Sequence, residues 1–144
     1  MQNDSMKKNV LFLCTHNAVR SQIAEAFLNH LYGDRYSAFS AGSDPTVLDP
    51  LVVKVMKEVG MDVSANPSKS LSVFQGMHFD WVITVCDQVQ ESCPHFPRGD
   101  RHIHKRFSDP SKFNGNAEDI THEYRRVRDE IKAWVEKEFH QAIK

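Results

Sequence analysis

The sequence has no long hydrophobic run. Its longest uninterrupted apolar stretch is Val10 to Cys14, far short of the roughly 20 residues a membrane-spanning helix needs. The first nine residues, MQNDSMKKN, are polar and lack the apolar centre of an export signal. A cytoplasmic protein with no membrane partner is therefore expected. Charge excess is also missing: 18 Lys and Arg face 19 Asp and Glu, for a net charge of -1. Non-specific nucleic-acid binding draws on a surplus of cations, so no nucleic acid is expected, although a local anion pocket is not excluded. Only three cysteines occur, too few and too odd for a disulfide framework. In a reducing compartment they point to chemistry, with three inert buried thiols as the plain alternative. Repeats, low-complexity segments and long linkers are absent, so residues 1–144 read as a single domain, large enough to bury a core without staples.

What is present alternates between strand and helix. Val10 to Cys14 is continuous and apolar, as a buried parallel strand should be. Ile23, Ala24, Phe27, Leu28 and Leu31 recur at helical spacing and predict a helix over Ser21 to Tyr32. Tyr36 to Ala41 and Trp81 to Val85 read as strands, and His102 to Arg106 as a weaker fourth. Pro50 to Val59 reads as a helix, with Pro50 in its first turn and Gly60 at its end. Short helices are expected over Lys69 to Met77 and Asp87 to Ser92. A long one begins at Ala117, with Ile120, Tyr124, Val127, Ile131 and Trp134 as its core stripe and Phe139 beyond. Arg125, Arg126 and Arg128 read as its solvated face. The pattern implies an α/β fold, a four-stranded parallel sheet flanked by helices on both faces. Ligands bind such sheets beyond the carboxyl ends of the strands. That edge holds Cys14 and Cys86, with Ser40 and Asp109 as further candidates.

The segment Cys14-Thr15-His16-Asn17-Ala18-Val19-Arg20-Ser21 is the most informative. It sets a thiol at a strand end, an arginine six residues on, and a serine suited to cap the following helix. A loop wrapped between strand and helix aims its N–H groups inward, and with the helix N-terminus makes an anion site. Arg20 adds a fork matching two oxygens of a tetrahedral oxyanion. The same positive field favours a thiolate at Cys14, and so a nucleophile facing the bound anion. Asn17 suits a left-handed backbone and can bind the loop through its side chain. The plain alternative is a buried strand-end cysteine with an unrelated arginine.

Nearly the whole chain resembles the low-molecular-weight protein tyrosine phosphatases and the thioredoxin-coupled arsenate reductases built on the same fold. The likeness rests on Val10 to Cys14 running into Arg20-Ser21-Gln22-Ile23-Ala24-Glu25, on Phe39-Ser40-Ala41-Gly42, Val85-Cys86-Asp87 to Cys93-Pro94, Asp109-Pro110, and Arg126-Val127-Arg128-Asp129-Glu130-Ile131. The resemblance implies Cys14 as nucleophile and Arg20 as oxyanion clamp, with Thr15 to Ser21 forming the anion loop and Asp109 acting as acid. Tyrosine phosphatases usually carry ring-stacking tyrosines after Asp-Pro. Here Ser111-Lys112-Phe113 follow, which favours reduction of arsenate. For that activity the resemblance implies a relay through Cys86 and Cys93, with thioredoxin as reductant and glutaredoxin with glutathione as the alternative. If Asp87 to Ser92 is helical, Cys86 and Cys93 lie about 10.5 Å apart. A disulfide spans only about 4.4–6.8 Å between Cα atoms, so oxidation would have to unwind that segment.

Departures from the family pattern sharpen the expectations. His16 stands where many members have Gly, and Val19 where many have Cys. His16 reads as loop decoration. Some reductases hold potassium behind the loop; Asn17, Glu25 and Ser40 match positions used there. Lys69 stands in place of the acidic ligand, which counts against potassium, so no cofactor beyond an external thiol is expected. Metal binding by Cys86, Cys93, His95, His102 and His104 is disfavoured because the cysteine spacing is not that of common zinc sites. The rival functions are a small phosphatase with protective thiols and a non-enzymatic oxyanion or redox sensor.

Overall fold

A computed structural model describes residues 7–86 and 96–142, with side chains through residue 140, and every structural statement below concerns those residues. The chain runs β1 (Lys8–Cys14), α1 (Arg20–Tyr32), β2 (Tyr36–Gly42), α2 (Pro50–Lys57), a 3₁₀ helix at Leu71–Phe74, β3 (Phe79–Thr84), β4 (Gly99–His104), a 3₁₀ turn at Pro110–Lys112 and α3 (Ala117–Ala142). The four strands form one sheet in the order β2-β1-β3-β4, and every pairing is parallel, as expected.

β1 lies at the centre, and its period of two divides the core. Val10, Phe12 and Cys14 join the larger cluster with residues of α1, α2 and α3. Leu11 and Leu13 face the other way, where the 3₁₀ helix lies and Phe39, Phe74, Phe79 and Phe96 meet edge to face with ring centroids 5.5–5.8 Å apart. Burial on both faces explains why β1 reads as an unbroken apolar run.

Several boundaries differ from expectation for physical reasons. The predicted helix over Lys69 to Met77 shrinks to Leu71–Phe74, since Ser70 bridges in parallel to Gly42 and extends the backbone before it. β4 starts at Gly99 rather than His102. It is an edge strand with mostly exposed side chains, so its sequence, Gly-Asp-Arg-His-Ile-His, carries little apolar signal. In α3 the stripe runs through Tyr124, Val127, Ile131, Val135 and Phe139, and Trp134 is only partly buried.

Arg128 is a clear correction. It was expected on a solvated face, yet it is 8% exposed. Its guanidinium donates to the Val55 carbonyl at 2.9 Å and the Glu58 carboxylate at 3.0 Å, so it joins α3 to α2. Arg125 also reaches Glu58. Arg126 keeps the expected exposed face, paired with Glu123 and Glu130. The helix predicted over Asp87 to Ser92 lies outside the described residues. No helix among those described is long and apolar enough to cross a membrane.

Gly42, opposite Cys14 in the β1–β2 register, sits where β2 meets the loop after β1. A Cβ there would lie 2.5 Å from the Thr15 carbonyl oxygen and 2.9 Å from both the Asn17 nitrogen and the Cys14 oxygen. Those are backbone atoms that cannot swing aside. Gly42→Ala is therefore expected to cost about 1–3 kcal/mol, read as a lowered denaturant midpoint with an unchanged slope.

Candidate active site

Residues 15–19 cross from the end of β1 to the start of α1, and each carbonyl in that loop has a partner. Thr15 O accepts from Asp44 N at 2.8 Å, His16 O from Thr46 N at 3.3 Å, and Ala18 O from Asp49 N at 3.2 Å. Asn17 O accepts from Gln22 Nε2 at 3.2 Å and Ser68 Oγ at 2.9 Å, and Val19 O from Ile23 N at 3.0 Å. The peptides are trans, and in a planar trans peptide the next residue's N–H points opposite to the carbonyl. Turning these oxygens toward their partners thus turns the amides of residues 16–20 to the other side, as an anion cradle needs.

Asn17 makes the turn possible. Its φ is 52°, the only positive value at a non-glycine among the described residues, and asparagine tolerates it better than most. Its side chain is also a hub. Oδ1 accepts from Lys69 N at 2.8 Å and from Gln22 Nε2 at 3.1 Å, while Nδ2 donates to Ser21 Oγ at 2.8 Å. Ser21 Oγ lies 2.9 Å from Cys14 Sγ. With Cys14 neutral either atom of this pair can donate; once Cys14 is a thiolate it has no proton to give, and the serine hydroxyl is the donor. Ser21 was also expected to cap α1. It does not: the N-cap is Val19, and no side chain bonds there, leaving the first amides and the positive end of the helix dipole toward the loop.

Arg20 is 2% exposed. Nη1 donates to the Phe107 carbonyl at 3.3 Å, and Nη2 lies 3.6 Å from Asp109 Oδ2. The other oxygen of Asp109 accepts from Ser111 N at 3.0 Å and Ser111 Oγ at 2.6 Å, so the carboxylate is held with one edge toward the guanidinium. Cys14 thus meets Ser21, and the adjacent Arg20 meets Asp109. Cys86 lies just past the end of β3, where Val85 N donates to Leu13 O at 2.9 Å. It is fully buried in the same cluster as Cys14. Cys14 is a free thiol and Cys86 is disulfide-bonded. Cys93 and His95 lie outside the described residues.

Behind the loop, Ser40 Oγ donates to Glu25 Oε1 at 2.5 Å, and Lys69 Nζ lies 3.9 Å from the same oxygen. Burial pushes the Glu25 pKa upward, opposed by the Ser40 bond and the Lys69 charge. The Lys69 ammonium thus sets a positive charge beside the Glu25 carboxylate. No group of three or more His, Cys, Asp or Glu able to hold a metal occurs among the described residues. His16 Nδ1 pairs with the Asp44 carbonyl at 2.9 Å, away from the cradle. His102 pairs with the Phe96 carbonyl and His104 with Thr84.

Sequence reasoning did not find Gln22, Ser68, Asp49 or Tyr124. Asp49 had a usable signal, an aspartate directly before Pro50, and it caps α2 by accepting from Leu51 N at 2.9 Å. Tyr124 looked like one more core residue, yet its hydroxyl donates to Asp49 Oδ2 at 2.5 Å. Replacing the hub is the direct test of the loop. Asn17→Ala is expected to lose about 2–4 kcal/mol of stability and to abolish the rise in melting temperature that inorganic phosphate gives the parent protein.

Comparison with known proteins agrees with this geometry. Residues 9–144 match the family model described as low molecular weight phosphotyrosine protein phosphatase. An arsenate reductase of Shouchella clausii is 39% identical over 131 residues, covering 91% of this chain and 94% of its own. A solved arsenate reductase in a phosphate-binding state superposes with a TM-score of 0.75 at 28% identity, covering 90% of this chain and 95% of its own. The thioredoxin-dependent arsenate reductase of Corynebacterium glutamicum gives a TM-score of 0.61 at 30% identity, covering 92% of this chain and 63% of its own. With the four-stranded parallel sheet and a family match that runs over residues 9–144, the chain belongs to the low molecular weight phosphotyrosine protein phosphatase family.

Proposed function

We propose that this protein reduces arsenate to arsenite and draws its electrons from thioredoxin. The observation that carries the reading is the placement of two cysteines at the carboxyl ends of adjacent parallel strands, Cys14 after β1 and Cys86 after β3, in one buried cluster. The names of the relatives at 39% and 38% identity support the same activity. A phosphatase needs only the first of these thiols.

The Cys14 thiolate attacks arsenic of an arsenate held by the loop amides and Arg20. An arsenic–sulfur bond forms, and one oxygen leaves as water with a proton from Asp109. Cys86 then attacks the Cys14 sulfur. A sulfur–sulfur bond forms, the electron pair of the arsenic–sulfur bond passes to arsenic, and As(V) leaves as As(III). Cys93 attacks Cys86, which frees Cys14. The dithiol of thioredoxin reduces the Cys86–Cys93 disulfide, so two thiols are oxidised for each arsenic reduced. A reducing cytoplasm suits this cycle. Ser21 donates to the attacking sulfur, and the uncapped start of α1 favours the anion.

Two measurements test the scheme. In an assay following arsenate-dependent NADPH consumption with thioredoxin and thioredoxin reductase, Cys14→Ser is expected to be inactive and Cys86→Ser to give no catalytic turnover. Cys93→Ser should stop after a single turnover while keeping any aryl-phosphate hydrolysis. Activity lost only in Cys14→Ser would instead indicate a single-thiol mechanism with an external thiol such as glutathione. Arg20→Lys keeps the charge but loses the planar fork. It is expected to lower kcat/KM for arsenate about a hundredfold, and an unchanged value would remove Arg20 from the clamp.

A further inference from the structure

The segment after β2 supplies three of the bonds that orient the anion loop, through Asp44 N, Thr46 N and Asp49 N, yet little burial holds it there. Residues 43–47 are all exposed, Val47 at 73%, and only Leu48 packs partly on the core. Its start is fixed by β2, where Gly42 pairs with Cys14. Its end runs into α2, whose Val52, Val55 and Met56 are fully buried, and the side chain of Asp49 ties that junction to α3.

That carboxylate serves two elements at once. Oδ1 caps α2 through Leu51 N, and Oδ2 accepts the Tyr124 hydroxyl. Tyr124 is 2% exposed and sits on α3 among Val127, Ile131 and Val135, all fully buried, so its hydroxyl has little freedom to follow a moving segment. Burial, the bond to Asp49, the Asp49 charge and the Asp109 charge all push the tyrosine's pKa upward. The hydroxyl therefore stays a donor, directed at Asp49. The backbone of the same aspartate donates to Ala18 O, whose outward turn aims the Val19 amide into the cradle.

We propose that Tyr124 is a positioning residue for the oxyanion site, acting through Asp49 to fix the segment that holds the loop carbonyls outward. It touches neither the reacting sulfur nor the anion. The inference deepens the function proposed above and rests on the reading of the loop as the arsenate site. Its effect is preorganisation: when the tie is lost, the anion must order the loop as it binds, and affinity falls before chemistry does.

Tyr124→Phe keeps the ring in the core and removes only the hydroxyl. It is expected to raise the KM for arsenate and the dissociation constant for inorganic phosphate about tenfold, with kcat changed less than about twofold. Asp49→Ala, which also loses the α2 cap, should act in the same direction, and adding Tyr124→Phe to it should change little more, because the Tyr124–Asp49 contact is already broken. Asp49→Asn keeps a capping oxygen and a polar partner for the hydroxyl, and should recover most of the affinity. Arg128→Met is the structural control: it also breaks an α2–α3 contact, so it should lower the melting temperature while leaving both constants unchanged. Equal KM and phosphate affinity in Tyr124→Phe and the parent would overturn the inference, as would Arg128→Met raising both constants as much as Tyr124→Phe. If the parent neither turns over arsenate nor binds phosphate, the functional reading itself fails, and that outcome is separable because it needs no variant.

Discussion

The direction of five carbonyl groups governs the site. A peptide cannot point its oxygen and the following N–H to the same side, so an inward ring of amides at residues 16–20 exists only if the oxygens of Thr15 to Val19 have partners outside. Those partners come from three places: the backbone after β2, Gln22 and Ile23 within α1, and Ser68. The need for them explains features with no other evident purpose. The largely exposed segment from Asp44 to Asp49 runs beside the loop and bonds it at Thr15, His16 and Ala18. The polar residues Gln22 and Asn17 are fully buried. Gly42 has no side chain because the loop backbone occupies that space.

The same network sets the electrostatics at sulfur. Asn17 donates to Ser21, and Ser21, 2.9 Å from the Cys14 sulfur, donates to it when it is a thiolate. A chain of donors running toward one atom favours negative charge on that atom. Arg20, held by Phe107 and Asp109, places a cation and an acid at the same mouth. Glu25 and Lys69 lie behind the loop as a close charge pair. The ammonium sets a positive charge beside the Glu25 carboxylate, and the backbone N–H of the same lysine holds the Asn17 side chain. A single residue thus joins charge balance behind the loop to the geometry of its tightest turn.

Much of this was legible in the sequence because it is local. β1 is an apolar run buried on both faces, α1 and α3 carry helical periodicity, and the interval from Cys14 to Arg20 lies within one strand–loop–helix unit. Asn17 was legible too, since its residue type matches its φ. What escaped was non-local. Tyr124 and Asp49 are 75 positions apart, and Arg128 meets Val55 from 73 positions away. Their residue types carry no mark of those partners. β4 was blurred for a different reason: an edge strand pairs through its backbone, and side chains such as Arg101 over Trp81 break the apolar alternation that identifies strands.

Cys14, Arg20 and Asp109 do not by themselves separate phosphoryl hydrolysis from arsenate reduction, since both begin with a thiolate attacking a tetrahedral centre. Electron count separates them. Hydrolysis returns the nucleophile unchanged, whereas reduction must deposit two electrons on arsenic and leave two sulfurs bonded. The second sulfur has to reach the first from a fixed neighbouring position, because the cradle encloses the first. In a parallel sheet that position is the carboxyl end of the adjacent strand, about 4.8 Å away across the ladder. Cys86 lies just past the end of that strand, and β3 is the neighbour of β1 on the side not taken by Gly42. Any fully buried disulfide formed there would still have to pass its oxidation outward to be reduced. In the proposed cycle that task falls to Cys93, which makes it the residue on which catalytic turnover, rather than a single event, would depend.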